Sequence, residues 1–232
     1  MKLAIFGANG PTGRATTRMA LDAGHEVVAA TRRPADFPRF PGDLRVAEVD
    51  VYDRDRVADA IAGADAVISA LGVPFGRKPV RVYSAGFASI EAGMSRHGVR
   101  RFVGVTSSTM DLPPNPANSW FFERVLQPFV VRVLGRTVYD DMHRMEAAVR
   151  ESGLDWTLVR PFGLFDRDAV GGYDLSAGHL FGRFTSRADL ADVLLRLATS
   201  DRHIGDAVEV LTTSDVPRFV DFFLKEGLSS KS

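Results

Sequence analysis

The chain contains no cysteine and very little lysine. With 0 Cys in 232 residues, disulfide bonds, thiolate catalysis and cysteine-ligated zinc are excluded. Arginine supplies almost all the basic side chains, because the only lysines are Lys2, Lys78, Lys225 and Lys231. Any mechanism that requires a catalytic lysine is therefore restricted to these few positions.

Net charge and long apolar runs are also missing. The formal net charge is +0, so bulk electrostatics attracts neither nucleic acid nor an anionic membrane. The apolar run after Lys2 is too short for a signal peptide, and we expect a cytoplasmic protein. Residues 120–134 are apolar but contain charged side chains, and they fall short of the roughly 20 residues that a bilayer span needs. A lid, a dimer face or a core helix remain the alternatives for this segment.

The size and the average composition indicate one globular domain. An apolar fraction of 45% and a charged fraction of 25% are ordinary for a globular protein. We expect one domain over residues 1–228 and a disordered tail at 229–232, with the monomer and the homodimer both open. No cluster of side chains suggests a metal site.

Short apolar strands alternate with amphipathic helices along the chain. Strands are predicted at residues 3–6, 26–31, 45–49, 66–69, 101–106, 155–160 (ended by Pro161) and 207–211. Helices are predicted after the glycines to residue 24, at about 53–62, and at 80–97, 118–134, 137–152, 186–199 and 216–226. Continuously apolar, β-branched strands are typical of buried parallel strands. The alternation predicts an α/β fold, a Rossmann-like doubly wound parallel sheet with helices on both faces. Residues of about 111–140 and 162–186 would form a small substrate-side region.

Three glycines, Gly7, Gly10 and Gly13, follow the first predicted strand and precede a helix. A strand, a glycine turn and a helix form a dinucleotide cradle, in which N–H groups at the helix start face the pyrophosphate. Pro11 suits the first helical position, where no N–H is needed. The G-x-x-G-x-x-G spacing differs from the G-x-G-x-x-G fingerprint. An ordinary βα turn explains one glycine but not three, so cofactor binding is favoured.

The residues after the second predicted strand indicate which nucleotide binds. An acidic residue there would bind the ribose 2′-OH and repel a 2′-phosphate. The chain has Thr31, Arg32 and Arg33 instead, and its first carboxylate is Asp36. Guanidinium groups suit a phosphate, so we predict NADP(H), bound through Arg32 with help from Arg33 and Thr31. A solvated turn is the alternative explanation for these arginines.

A set of motifs over residues 2–200 resembles a known family. The motifs are IFGANGPTG near the start, TRR from Thr31, VDV from Val49, ALG from Ala70, VTSS from Val105, YDDMHRMEAAVRESGLDW from Tyr139 and RPFGL from Arg160. Together they are similar to the atypical short-chain dehydrogenase/reductase group with an NAD(P)H-binding domain, and within it to the biliverdin-IXβ/flavin reductases. The apolar segment 120–134 and the residues after Arg32 depart from those reductases, so the substrate does not carry over.

The resemblance implies roles for the matching residues. Gly7, Asn9, Gly10, Pro11 and Thr12 would bind the pyrophosphate, beside Gly13. Arg32 would bind the 2′-phosphate, and Asp50 and Val51 would flank the adenine. The ribose and diphosphate would run along Ala70, Leu71 and Gly72. Thr106 and Ser107 would lie beside the nicotinamide, with Pro161, Phe162, Gly163 and Leu164 on its far side.

The Tyr-x-x-x-Lys pair that most short-chain dehydrogenases use is absent. That spacing places both side chains on one helix face, where the lysine lowers the pKa of the tyrosine. Four positions after Tyr52, Tyr83, Tyr139 and Tyr173, the chain has Arg56, Phe87, His143 and Ala177. Tyr139 with His143 is the nearest substitute, and Ser107 could orient a carbonyl or donate a proton. Packing roles for these residues remain the alternative. Asp140 and Asp141 are interpreted as favourable charges at a helix start.

A missing dyad favours hydride transfer to a conjugated acceptor, which does not need a strong side-chain acid. The leading prediction is therefore an NADP(H)-dependent oxidoreductase that reduces a small flavin, quinone or tetrapyrrole-like molecule. Trp120, Phe121, Phe122 and Phe162 could supply a flat apolar surface for it. A non-catalytic NADP(H) sensor is the alternative. A sugar-nucleotide epimerase or dehydratase is disfavoured, because those reactions normally retain the tyrosine and lysine.

Overall fold

A computed structural model describes residues 1–74, 76, 78–110 and 135–217. Its strands are β1 (Lys2–Phe6), β2 (Glu26–Thr31), β3 (Leu44–Glu48), β4 (Ala66–Ser69), β5 (Arg101–Val105), β6 (Asp155–Pro161), β7 (Gly163–Phe165), β8 (Tyr173–Ser176), β9 (Phe184–Ser186) and β10 (Asp206–Thr212). Its α-helices are α1 (Pro11–Asp22), α2 (Arg54–Ile61), α3 (Val82–His97), α4 (Arg136–Glu151) and α5 (Arg187–Ala198). Two 3-10 turns, Pro34–Asp36 and Ser108–Met110, follow β2 and β5.

Eight strands form one sheet in the order β3-β2-β1-β4-β5-β6-β10-β8. All neighbours run parallel except β8, which is antiparallel to β10. From β1 the chain adds β2 and β3 on one side, and it then returns to add β4, β5 and β6 on the other side of β1. This confirms the predicted Rossmann-like doubly wound sheet, and the reversal at β1 and β4 is where such sheets bind ligands.

Helices cover both faces of the sheet because alternate side chains of the central strands are buried on opposite sides. Phe6, Ala4 and Val28 contribute to one core with helices α2, α3 and α4. Leu3 and Ile5 contribute to the other core with α1 and α5. A strand buried on both faces is apolar at consecutive positions, which is the pattern from which these strands were predicted.

Local signals in the sequence set several helix ends. The Asp53 carboxylate accepts the Arg56 N–H at 3.1 Å and caps α2. Gly98 ends α3 with φ +68°, a conformation that glycine adopts without strain. Ser186 caps α5 by accepting the Asp189 N–H, but Asp189 does not return the bond. The Asp189 carboxylate accepts from the Gly171 N–H and the Thr212 hydroxyl instead, so the reciprocal hydrogen bond of a capping box is not formed.

Some predicted elements differ from the structure. Strand β3 ends at Glu48 rather than at residue 49, β5 at Val105 rather than 106, and α3 begins at Val82 rather than at residue 80. Strand β6 ends at Pro161, as predicted, but includes Pro161 as its last residue, opposite Val210 of β10. Strands β7, β8 and β9 were not predicted; β7 and β9 pair as a separate parallel ribbon.

Several predictions concern residues outside the described part of the chain. They are the helix at 118–134 with its aromatic surface at Trp120, Phe121 and Phe122, nearly all of the helix at 216–226, and the tail at 229–232. Among the described residues, no helix combines the length and the apolarity needed to cross a bilayer. The cytoplasmic location, the single domain and the oligomeric state stay predictions.

Candidate functional site

The turn between β1 and α1 requires glycine at two positions. Gly7 has φ +73°, and a Cβ there would overlap the Ala70 carbonyl oxygen. A Cβ on Gly13 would overlap the Gly7 carbonyl oxygen and the backbone of Ala8. Gly10 closes the turn by donating its N–H to the Gly7 carbonyl at 3.0 Å. The backbone thus packs too closely for side chains, which leaves a cradle of main-chain atoms.

The first turn of α1 suits an anionic ligand. Gly10 is the N-cap and gives no side-chain oxygen to the N–H groups of the helix start, and Pro11 follows it. No acidic side chain lies in the first turn. The N–H groups of Thr12 and Gly13 are early helix donors that need a partner outside the helix. A pyrophosphate fits these donors and the helix dipole, so this cradle is the group of residues that would hold a dinucleotide.

Basic side chains surround the end of β2. Thr31 is buried, and its hydroxyl accepts the Arg33 N–H at 3.2 Å. Arg32 and Arg33 are exposed, and the Arg33 guanidinium lies 3.5 Å from the Asp36 carboxylate. Arg14, which sequence reasoning missed, reaches the same loop from α1. Its position directly after Gly13 gave no signal, because its role depends on how the loop after β2 folds.

The ends of β3 and β4 form the floor beside the glycine turn. Asp50 is exposed and its carboxylate accepts the Tyr52 N–H at 3.1 Å, whereas Val51 is buried. The Ala70 N–H donates to the Phe6 carbonyl at 2.9 Å and continues the sheet beyond β4. Leu71 is half-buried, and Gly72 is exposed. These predicted contacts with adenine and ribose therefore lie at one edge of the sheet with Gly7.

Three hydroxyl groups meet at the end of β5. The Ser107 hydroxyl lies 3.2 Å from that of Thr109 and also accepts the Thr109 N–H at 3.3 Å. Both hydroxyls hydrogen-bond to the phenol of Tyr139 on α4. Ser107 and Thr109 are half-buried and Tyr139 is buried. The structure thus brings two of the predicted catalytic residues, Ser107 and Tyr139, into one cluster.

The surroundings of Tyr139 keep its phenol protonated. Burial raises the pKa of Tyr139 above its usual value near 10, and the hydrogen bonds of Thr109 and Ser107 counter this only in part. His143, the third predicted catalytic residue, is exposed and has no hydrogen bond or ion pair within the described residues. The structure therefore does not join His143 to Tyr139, and the phenol is suited to donate a proton rather than to accept one.

Thr106 points away from this cluster into a buried ionic network. Its hydroxyl donates to the Glu146 carboxylate at 2.8 Å, and Glu146 also accepts from Arg160 at 2.5 and 3.0 Å and from Arg150 at 2.7 Å. Burial raises the pKa of Glu146, but the bonds and charge of Arg160, with those of Thr106 and Arg150, outweigh it and leave that pKa lowered. The network connects α4, which carries Tyr139, to the strand ends that carry Ser107.

Asp141 has a different role from the one its sequence position suggests. It is fully buried, and its carboxylate accepts the Tyr83 N–H at 2.9 Å and the Ser84 hydroxyl at 2.5 Å. It therefore caps α3 from the second turn of α4, and its interpretation as a charge at the start of its own helix is wrong. Asp140 is exposed and lies 3.7 Å from Arg136.

The end of β6 forms the far wall of the site. Phe162 is buried, and its N–H donates to the Thr185 hydroxyl at 2.9 Å. Gly163 and Leu164 belong to β7, and the Gly163 N–H donates to the Arg183 carbonyl at 3.0 Å. Pro161 is buried at the last position of β6. In the described part of the chain, no group of three or more His, Asp or Glu side chains could hold a metal ion.

Comparison with known proteins identifies the family to which the glycine turn and its surroundings belong. Residues 7–201 match the family described as NAD(P)H-binding. The chain belongs to this NAD(P)H-binding family. The match includes the glycine turn, the arginines after β2, the hydroxyl cluster and α5. The protein therefore has a Rossmann-like NAD(P)H-binding fold, as its resemblance to the atypical short-chain dehydrogenases implies.

Individual relatives are distant but cover nearly all of the chain. "Uncharacterized protein At2g34460, chloroplastic" of Arabidopsis thaliana is 25% identical over 229 residues, which are 94% of this chain and 79% of the relative. A wide-type short-chain dehydrogenase/reductase from Veillonella parvula, solved in complex with NADP, has a TM-score of 0.74 at 17% identity, covering 94% of this chain and 99% of its own. ChuY from Escherichia coli O157:H7, described as an anaerobilin reductase, has a TM-score of 0.71 at 22% identity, covering 94% and 100%.

Proposed function

We propose that this NAD(P)H-binding protein is an NADP(H)-dependent reductase that transfers hydride to a small conjugated acceptor, such as a flavin, a quinone or a linear tetrapyrrole. The observation that carries the proposal is the cluster of Ser107, Thr109 and Tyr139 at the carboxyl end of β5, on the same edge of the sheet as the glycine cradle. A neutral hydroxyl cluster beside a dinucleotide site suits reduction, because it holds protons that an acceptor can take up.

The choice of NADP(H) rests on charge at the end of β2. Arg32 and Arg33 are exposed there, where the ribose of a dinucleotide lies in this fold. A 2′-phosphate gains charge-assisted hydrogen bonds from guanidinium groups. Asp36 is the first carboxylate after β2 that could instead bind a 2′-OH, but the Arg33 guanidinium lies 3.5 Å from it. The NADP complex of the Veillonella parvula protein is consistent with this choice.

The chain's own residues supply positioning and a proton. When bound, NADPH supplies the hydride. Tyr139 donates a proton to the acceptor atom that gains charge, and the hydroxyls of Ser107 and Thr109 stabilise the phenolate that remains. Both hydroxyls are half-buried and can pass a proton inward from solvent. Phe162 closes the site on the β6 side and helps to exclude water.

The absence of a lysine beside Tyr139 in the described part of the chain supports a conjugated molecule as the hydride acceptor. Among the described residues, no lysine is one of the groups that shift the pKa of Tyr139. Oxidation of an alcohol needs such a base, whereas reduction of a conjugated ring spreads the incoming charge over many atoms. The description of ChuY as an anaerobilin reductase supports a tetrapyrrole-like acceptor as one member of this class.

Oxidation of NADPH, followed at 340 nm against FMN, a naphthoquinone and biliverdin, tests the proposal. We expect turnover with at least one acceptor and a higher rate with NADPH than with NADH. Binding of NADPH without turnover of any acceptor would overturn the reductase proposal and favour the non-catalytic NADP(H) sensor. Equal rates and equal affinities with NADH would overturn the choice of cofactor.

A further inference from the structure

Arg14 connects the two parts of the dinucleotide site. It lies in the first turn of α1, directly after the third glycine. Its Nε and Nη2 donate to Asn9 Oδ1 at 3.0 and 2.7 Å, and Nη2 also donates to the Asp36 carbonyl at 3.2 Å. Asn9 belongs to the glycine turn, and Asp36 closes the 3-10 turn after β2. One guanidinium therefore spans from the pyrophosphate cradle to the ribose loop.

These bonds hold the Arg14 guanidinium in a fixed orientation. Asn9 Oδ1 accepts hydrogen bonds from Nε and Nη2 of Arg14, whereas Nη1 of Arg14 has no hydrogen-bond partner among the described residues. Arg14 is exposed, so a ligand can reach Nη1. A guanidinium that is already ordered loses less side-chain entropy when it binds an anion than a free arginine does.

The charges around the loop favour an anion. Arg32 and Arg33 precede the 3-10 turn and Arg14 reaches its Asp36 carbonyl from α1, whereas the turn itself carries one carboxylate, that of Asp36. The Arg33 guanidinium lies 3.5 Å from that carboxylate. Arg14 instead donates to the backbone carbonyl of Asp36, so the Asp36 carboxylate does not neutralise the charge of Arg14. Arg14 therefore brings a positive charge from α1 to the loop that carries Arg32 and Arg33.

We propose that Arg14 is a specificity-determining residue that binds the 2′-phosphate of the cofactor through Nη1, opposite Arg32. This inference rests on the proposed preference for NADP(H) and adds a residue from α1 to a site otherwise attributed to the loop after β2. Asn9 is the positioning residue that aims the guanidinium. The chemical group recognised is a phosphate monoester on an adenosine ribose.

Titration calorimetry with 2′,5′-ADP and 5′-AMP tests this inference without any acceptor or turnover. Loss of one charged hydrogen bond predicts that Arg14→Met weakens 2′,5′-ADP binding by about 10-fold or more, while 5′-AMP binding changes by about 2-fold or less. Arg14→Lys keeps the charge and should recover part of the loss. Arg18→Ala, one turn further along the same exposed side of α1, is the matched control and should change neither affinity.

Three results would overturn the inference, and they are distinguishable. If Arg14→Met weakens both ligands by the same factor, Arg14 only shapes the glycine turn through Asn9. If Arg32→Ala abolishes the preference for 2′,5′-ADP and Arg14→Met does not, the NADP(H) proposal stands and Arg14 has no part in it. If the wild-type protein binds both ligands equally, the cofactor proposal itself fails. Thermal melting of each variant separates loss of binding from loss of folding.

Discussion

The phenol of Tyr139 hydrogen-bonds to the hydroxyl of Ser107, although one lies on α4 and the other follows β5. Tyr139→Phe removes the proton donor and keeps the packing of the ring, so we expect kcat with the best acceptor to fall by about 100-fold. The Kd of NADPH should stay within about 2-fold. Stopped-flow measurement of NADPH oxidation separates the two quantities.

Tyr173→Phe is the matched control for this substitution. The Tyr173 hydroxyl donates to the Asp192 carboxylate at 2.6 Å, outside the hydroxyl cluster, and its removal should leave kcat unchanged. Because burial raises the pKa of Tyr139, the wild-type rate should show no loss from phenol ionisation between about pH 7 and pH 9.5. An unaffected rate in Tyr139→Phe would mean that solvent supplies the proton.

Gly7→Ala tests whether the backbone cradle holds the cofactor. A Cβ at φ +73° is strained, and it would overlap the Ala70 carbonyl oxygen. We expect NADPH binding to weaken by at least about 10-fold and the melting temperature to fall. Gly178→Ala is the control, since its Cβ would meet its nearest neighbour, Ser176 Oγ, at 3.5 Å. Unchanged NADPH affinity in Gly7→Ala would place the cofactor elsewhere.

Local sequence signals were sufficient for the central sheet. Strand β2 (EVVAAT) is mostly apolar and contains the β-branched Val27, Val28 and Thr31, and it has the predicted bounds, Glu26–Thr31. Strand β7 was missed because three residues, Gly163–Phe165, carry no periodic pattern, and they pair with Phe184–Ser186 far along the chain. Pairing of this kind depends on tertiary structure, which no short window of sequence contains.

Candidate site residues could be identified from the sequence, but the contacts between their side chains could not. Ser107 and Tyr139 were both identified, yet Tyr139 was paired with His143 from their spacing on one helix. The buried stripe of α4, which includes Val138, Met142 and Met145, takes Tyr139 inward and leaves His143 just beyond its edge. Arg14 and Asp141 were missed or misinterpreted because their partners are on other elements.

Asp141 should contribute far more to stability than its neighbour. Asp141→Ala leaves the buried N–H of Tyr83 and the hydroxyl of Ser84 without their acceptor, so we expect a loss of about 2–3 kcal/mol in the free energy of unfolding. Asp140→Ala removes an exposed pair with Arg136 and should cost less than about 0.5 kcal/mol. Urea denaturation measures both, and equal losses would contradict the assignment of Asp141 as the cap of α3.

Glu146 should make the stability of the protein depend on pH in acid. Its side chain is 2% exposed, and its carboxylate accepts hydrogen bonds from Arg160, Arg150 and Thr106. Glu146→Gln removes a buried negative charge that accepts two hydrogen bonds from the Arg160 guanidinium, so we expect the free energy of unfolding to fall by about 3 kcal/mol at neutral pH. Glu151→Gln, an exposed change in the last turn of the same helix, is the control and should have little effect.

The sign of the pH effect follows from the direction of the pKa shift. The pKa of Glu146 is lower in the folded protein than its usual value of 4.5, so its stabilisation is present above that value and is lost as the pH falls through the folded pKa. The difference in unfolding free energy between wild type and Glu146→Gln should therefore be largest near pH 7 and shrink below about pH 4.5. Urea denaturation at a series of pH values measures it. A difference that stays constant with pH would mean that Glu146 stabilises the contact of α4 with the ends of β5 and β6 through its packing and not through its charge.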